Sequence, residues 1–372
     1  MSRFFSRVTA LTATALITLS TGTAATTAHA ASSTPVIPGL PALPSLPALP
    51  GADFGYSPYL PVGSSAPYAQ PQNQAQPQEE PTPFDLQAHR GGRGEYTEES
   101  ATAFESAVAQ GVSTLELDIV VAEDGTPVVW HDPVVQEDKC SDTAPATPND
   151  PEFPYVGKDV NKLNWAQLST LNCDKKLEAY PEQQPVVGNK MIRLSDVFAI
   201  AQKDPAMRFN IETKIEAENP EQSATPEEFV AAILPVIREH NAVERSTIQS
   251  FDWRSLPLFK EQEPGLTLAA LYDETTWKED SAWIAPIDYR EVGGDVNAAA
   301  KQLGVQILSP DYTMLTAQSV VESQEQGLQV LPWTVNEAAD IHLMLDYGVD
   351  GLITDYPGRA LSILNERGIA LL

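Results

Sequence analysis

The sequence predicts an α/β fold, a TIM-type (β/α)8 barrel, and three observations point to it. From Phe84 to Leu372, short apolar runs alternate with amphipathic stretches of helical period. Eight strand-like runs can be counted, and strands interleaved with helices build a parallel sheet. The length of that region suits one barrel domain and exceeds a small module. An open doubly wound sheet is the alternative. No Gly-x-Gly-x-x-Gly run opens a helix after the first strand, so dinucleotide binding has no support.

In chain order, the apolar runs predict strands over 84–89, 113–121, 209–214, 247–251, 266–272, 306–309, 329–334 and 351–354. The 3.6-residue pattern predicts helices over 98–110, 194–202, 226–240, 253–262, 317–326, 337–347 and 358–367. Segment 133–192 breaks the rhythm: it is rich in Pro and Asp, with one short helix candidate over 161–171. It reads as an insertion after the second strand unit, able to wall a substrate cleft. It also holds both cysteines of the chain, Cys140 and Cys173. In an exported chain an even count favours a disulfide, worth roughly 3–4 kcal/mol in the chain-entropy model.

Residues 1–30 have the three parts of a secretory signal peptide: a start carrying Arg3 and Arg7, an apolar stretch over 8–25, and the small-x-small site Ala28-His29-Ala30. Threonines interrupt the stretch, which argues against a membrane anchor, and no cysteine follows it for a lipid anchor. A secreted or envelope-associated, extracytoplasmic protein is expected. Residues 31–83, rich in Pro, Ala, Gln and Ser, form a linker that cannot build a packed core. The linker reads either as a spacer through a cell wall or as a passive tether.

With 51 acidic against 23 basic side chains, the formal net charge is -28. Such a surface repels nucleic acid and anionic lipid, so an anionic small-molecule substrate must be held by local cations.

The chemistry-bearing residues fall at the carboxyl ends of the predicted strands, where barrels keep their active sites. His89 and Arg90 follow the first strand, Glu116 and Asp118 share one face of the second, and His131 closes Thr126-Pro127-Val128-Val129-Trp130-His131. Glu212 and Lys214 end the third. Two carboxylates side by side repel unless a cation bridges them. With Glu212 they offer three hard oxygen ligands, which suit Ca²⁺ or Mg²⁺ and suit Zn²⁺ poorly. Imidazole titrates near neutrality, so His89 and His131 fit general acid and base. Arg90 can fork onto a phosphate and Lys214 can supply a point charge. These are the parts of a metal-assisted phosphodiesterase.

The runs His89-Arg90-Gly91, Leu115-Glu116-Leu117-Asp118, Asp124 to Asp132 and Ile211-Glu212-Thr213-Lys214 resemble the glycerophosphodiester phosphodiesterase family. So do Gln249-Ser250-Phe251-Asp252, Trp333-Thr334-Val335-Asn336 and Gly348 to Pro357. The resemblance implies a TIM-type barrel hydrolysing a glycerophosphodiester to an alcohol and sn-glycerol 3-phosphate. It implies metal ligands at Glu116, Asp118 and Glu212, acid/base roles for His89 and His131, and a pocket-lining Trp333; Phe251, just beyond another predicted strand, is a further substrate-side candidate by position. The family's usual Pro-Glu-Asn-Thr is here Thr97-Glu98-Glu99-Ser100: Glu98 keeps the acid and remains a site candidate, while Glu99 puts a carboxyl where an amide is usual.

Three other readings are set against this one. A retaining glycosidase would have no use for His89, His131 and Lys214 together. A sphingomyelinase-D-like phospholipase shares the two-histidine logic and differs in acting on choline phospholipids. A non-catalytic cell-surface barrel would be expected to have lost one of these residues.

Overall fold

The computed structural model describes residues 83–372. The signal segment and the Pro-rich linker lie outside the described residues. Ten strands make one mostly parallel sheet. Eight of them form the barrel: β1 (Asp85–Ala88), β2 (Thr114–Val121), β5 (Arg208–Thr213), β6 (Ser246–Ser250), β7 (Thr267–Tyr272), β8 (Ile307–Pro310), β9 (Gln329–Val330) and β10 (Gly351–Thr354). The ring closes between the last two, where Asp350 donates its N–H to the Val330 carbonyl at 3.1 Å and Ile353 to that of Pro332 at 2.9 Å. The barrel is therefore closed, and the open-sheet alternative is excluded.

Alternation along β2 shows why the sheet curls. Leu115, Leu117 and Ile119 are fully buried in the main apolar core, whereas Glu116 and Asp118 point the other way, into the barrel. The interior is thus polar near the mouth, and a chain of side-chain hydrogen bonds crosses it. Asn210 donates to Gln87 at 2.7 Å and to Gln249 at 2.8 Å, and Gln249 in turn donates to Glu116 Oε1 at 2.7 Å. Buried polar groups need such partners, since leaving one unmade costs about 1–3 kcal/mol.

The outer layer comprises α1 (Ala101–Gln110), α3 (Leu194–Ala201), α4 (Pro226–Glu239), α5 (Ser255–Gln262), α6 (Val296–Leu303), α7 (Ala317–Gln324), α8 (Ala338–Tyr347) and α9 (Pro357–Arg367). Their ends follow local chemistry. Ser100 accepts from the Ala103 N–H to open α1, and Thr225 with Glu228 forms a capping box ahead of Pro226 in α4. Of these, α6 has no counterpart in the sequence reading.

Between β2 and α3 the chain departs from the barrel. β3 (Pro127–Val129) runs antiparallel to β2, and β4 (Ile192–Arg193) runs antiparallel to β3, so the insertion leaves and returns through one small sheet. It has its own apolar core, which includes Trp130, Tyr155, Leu163 and Leu168, and only a four-residue helix, α2 (Trp165–Leu168). Cys140 and Cys173 are joined as the sequence predicts. The insertion docks on the loop after β1: Gln183 donates to the Arg93 carbonyl at 2.8 Å, and Val186 donates its N–H to Thr97 Oγ1 at 2.8 Å. It helps frame the barrel mouth.

Candidate active site

His89 and Arg90 occupy a tight turn after β1, with Arg90 at a positive φ of 51°. Gly91 follows at φ 78°, and a Cβ there would lie 2.9 Å from the Ala103 side chain, so the turn and α1 approach too closely for any other residue. This turn sets His89 over the barrel mouth, where Nδ1 meets Asp355 Oδ1 at 2.5 Å. Asp355 is itself held by Asn336, which donates through Nδ2 at 2.7 Å. His131 has the same arrangement, with Nδ1 2.9 Å from Asp132 Oδ1. A carboxylate partner at Nδ1 fixes each ring and leaves Nε2 for chemistry. Nε2 of His89 lies 4.0 Å from Glu116 Oε2.

Parallel register assembles the carboxylates. Asp118 of β2 is paired with Glu212 of β5, and Glu116 lies one alternation back on the same face. Carboxylate oxygens of Glu116, Asp118 and Glu212 all lie within 4.8 Å of one another. Lys214 Nζ reaches Glu212 Oε1 at 2.7 Å. Together His89, Arg90, Glu116, His131, Glu212, Lys214, Phe251 and Trp333 line one cavity of about 210 Å³. Asp118 is fully buried and joins the site through the carboxylate cluster.

The sequence profile of the glycerophosphoryl diester phosphodiesterase family matches residues 89–359. The chain belongs to this family. It is 27% identical over 284 residues to the glycerophosphodiester phosphodiesterase of Bacillus subtilis, covering 73% of this chain and 83% of that protein. The corresponding enzyme of Caldanaerobacter subterraneus is 28% identical, over 76% of this chain and 98% of its own length. An Oleispira antarctica phosphodiesterase, solved with the product sn-glycerol-3-phosphate, shares the fold at a TM-score of 0.58 and 20% identity, over 76% of this chain and 97% of that one. The protein is accordingly a phosphoric diester hydrolase, a glycerophosphodiester phosphodiesterase.

Within this phosphodiesterase, burial and mutual charge set the protonation states. Burial, then Asp118 and Glu212, drive the Glu116 carboxyl well above the usual carboxylate range. Burial lifts Glu212 to about 7 against the pull of Lys214. Asp118 goes the other way: burial opposes its charge, but Arg90 and Lys214 hold it ionised far below the usual range. Neither carboxylate oxygen of Asp118 has an aligned hydrogen bond, although Arg90 Nε approaches Oδ2 to 2.8 Å. Buried, ionised and unsatisfied oxygens beside two acids that resist ionising are what a hard divalent cation would resolve, so the donor set fits one. Burial also lowers both histidines, His131 to about 3, so both imidazoles are neutral near pH 7.

Arg90 is more committed than the sequence reading expects. Its backbone N–H donates to Glu116 at 2.9 Å, Nη1 to Glu98 at 3.2 Å, and Nε faces Asp118. Nη2 makes no hydrogen bond among the described residues, and with Nη1 and Nε turned to Glu98 and Asp118 a two-pronged grip on phosphate would require Arg90 to release a carboxylate. Glu98 points at three cations, Arg90, Arg93 and Lys139, and is absent from the cavity wall. Trp333 donates through Nε1 to the Ser309 carbonyl at 2.8 Å and meets Phe251 edge-on at 5.3 Å, which fixes both rings at the wall. The other histidines are elsewhere: His240 stacks on Phe198 at the end of α4, His342 lies in α8, and His29 is outside the described residues.

Sequence reasoning missed Arg93 and Lys139, and the roles of Asn336 and Asp355. Asp355 was within reach of it, because it directly follows a predicted strand end inside Gly348 to Pro357. Lys139 offered no signal, being one charge in an irregular insertion.

Proposed function

We propose that this is an extracytoplasmic, metal-dependent enzyme that cleaves a glycerophosphodiester to an alcohol and sn-glycerol 3-phosphate, with His89 and His131 as the acid/base pair. The observation behind this reading is the pair of histidines, each backed by an aspartate at Nδ1, flanking three clustered carboxylates in one cavity. Glu116, Asp118 and Glu212 would hold Ca²⁺ or Mg²⁺, which when bound neutralises charge building on the phosphate oxygens. Lys214 adds a fixed positive charge at the same wall, and Arg90 Nη2 is the arm left to meet the phosphate. One imidazole takes a proton from the attacking water at Nε2 as the new P–O bond forms. The other returns a proton to the alkoxide as the bond to the alcohol breaks. Because burial keeps both rings neutral without substrate, the donor must gain its proton as the anionic diester arrives and favours imidazolium. Trp333 and Phe251 offer apolar faces to the carbon skeleton.

Export is supported by the signal-like residues 1–30 and by the Cys140–Cys173 disulfide, which suits an oxidising compartment. Among the described residues, no helix is long and apolar enough to cross a membrane. The test is a panel of glycerophosphodiesters assayed for released glycerol 3-phosphate, with and without a chelator. Release that stops in EDTA and returns with Ca²⁺ or Mg²⁺ is expected; full activity in EDTA would overturn the metal site.

A further inference from the structure

Barrel interiors are ordinarily filled by branched apolar side chains, yet three side chains inside this one are amides: Gln87, Asn210 and Gln249, exposed by only 1, 2 and 1%. They belong to a hydrogen-bonded line with a fixed direction. It begins at Asp85, which opens β1 at the end of the strand away from the catalytic turn. Both Asp85 oxygens accept: Oδ1 from Thr114 Oγ1 at 2.6 Å and Oδ2 from Gln87 Nε2 at 2.7 Å. Gln87 therefore turns Oε1 inward to accept from Asn210 Nδ2, and the same Nδ2 donates to Gln249 Oε1. Gln249 ends the line by donating through Nε2 to Glu116 Oε1 at 2.7 Å.

A line of amides can run either way, and one atom shows how this one is held. Asn210 Oδ1 is buried and accepts no hydrogen bond among the described residues, while Nδ2 serves both Gln87 and Gln249. Turning that amide would give the oxygen a partner only if Gln87 offered its Nε2, and Asp85 keeps that group. The unmet acceptor is what a direction imposed from Asp85 leaves behind. The direction matters at the other end. Glu116 receives Gln249 on Oε1 and the Arg90 backbone N–H on Oε2, so both oxygens are aimed and their further lone pairs stay open to a cation. In a reversed line Gln249 would present its oxygen to that carboxylate, acceptor against acceptor.

We propose that Asp85, acting through Gln87, Asn210 and Gln249, positions Glu116 and so sets the affinity of the three-carboxylate site for its divalent cation from the opposite end of β1. The proposal rests on the metal reading above and adds residues that are not among the ligands. Removing outer partners of this kind ordinarily weakens metal binding by roughly ten- to a hundredfold.

Asp85→Asn is the informative change, because it keeps the side-chain shape. With Thr114 still on Oδ1, its amide nitrogen faces Gln87, which must turn its oxygen to meet it and so reverse the line. Calorimetric titration of Ca²⁺ into the full-length, chelator-stripped protein should show affinity weakened roughly tenfold in Asp85→Asn. Gln87→Met, which cuts the line one step on, should match it, and Gln249→Met should weaken binding at least as much. Asp85→Asn combined with Gln249→Met should bind no more weakly than Gln249→Met alone, since both changes act through one line. A packing role for Asp85 would instead lower the thermal midpoint of the metal-free protein and leave calcium affinity unchanged, or add to the effect of Gln249→Met; either result would overturn the proposal. If wild type binds neither Ca²⁺ nor Mg²⁺, the metal reading falls and the proposal with it. Calcium bound equally by wild type, Asp85→Asn and Gln87→Met sinks the proposal alone.

Discussion

Lys139 Nζ lies 2.5 Å from Asp132 Oδ2, and the other oxygen of that carboxylate holds His131 Nδ1 at 2.9 Å. The lysine comes from the insertion, one residue before the disulfide at Cys140, and its ammonium also reaches Glu98 at 2.6 Å. Lys139 thus positions His131 through Asp132. Lys139→Met should lower kcat about tenfold with a smaller change in KM, because a freed Asp132 lets the ring turn. Lys139→Arg should recover much of the loss, and steady-state kinetics on the three proteins decide the point.

Breaking the disulfide should act along the same route. Closure of this loop is worth roughly 3–4 kcal/mol by chain entropy, and the insertion has its own small core. The pair Cys140→Ser with Cys173→Ser should therefore lower kcat while far-UV circular dichroism of the barrel stays near that of wild type. Turnover unchanged by the double substitution would mean the insertion core alone holds Lys139.

Removing the metal should lower both activity and stability. Without a cation, Glu116, Asp118 and Glu212 crowd one another, so Ca²⁺ or Mg²⁺ should raise the thermal midpoint of chelated protein in step with metal concentration. Asp118→Asn should abolish that rise. Calorimetric scans across a metal series provide the check.

Each histidine should be needed for chemistry and dispensable for folding. His89→Ala and His131→Ala should each cut kcat at least about 10²-fold with little change in thermal midpoint. Asp355→Asn, which keeps the shape but weakens the hold on His89 Nδ1, should also cut kcat and leave KM largely intact. Rates measured with thermal midpoints for the three variants separate these roles from simple destabilisation.

Glu99 gives a pH-dependent stability. It is buried at 3% exposure with φ at 54°, its Oε1 accepts from the Asp118 N–H at 3.2 Å, and its Oε2 has no partner. Burial and then Asp118 push its carboxyl well above the usual range. A raised folded-state value gives stability that is complete below the ordinary carboxyl range and is lost as pH rises towards the folded value. Glu99→Gln, restoring the amide usual in the family, removes that loss. Its thermal midpoint should gain on wild type between about pH 4.5 and pH 8, and an advantage equal at both would show that Glu99 stays ionised.

Much of this protein was legible in its sequence because alternation and period report which face of a strand or helix is buried. All eight barrel strands were foreseen, and Glu116 with Asp118 could be placed on one face from their spacing alone. The helix α6 was missed although Asp295, the apolar set Val296, Ala299, Ala300 and Leu303, and Gly304 spell out a cap, a face and a stop. Alanine contributes too little apolar contrast for that face to stand out. The sequence by itself determined the barrel, the family, the three carboxylates and the two histidines, since each depends on local pattern or on a run of neighbours. Only the tertiary structure decided that Asp355 backs His89 across 266 residues, that Lys139 steers His131 through Asp132, and that Arg90 is occupied by Glu98 and Asp118. Those are contacts between distant segments, fixed by barrel closure and by where the insertion docks, and no local period encodes either.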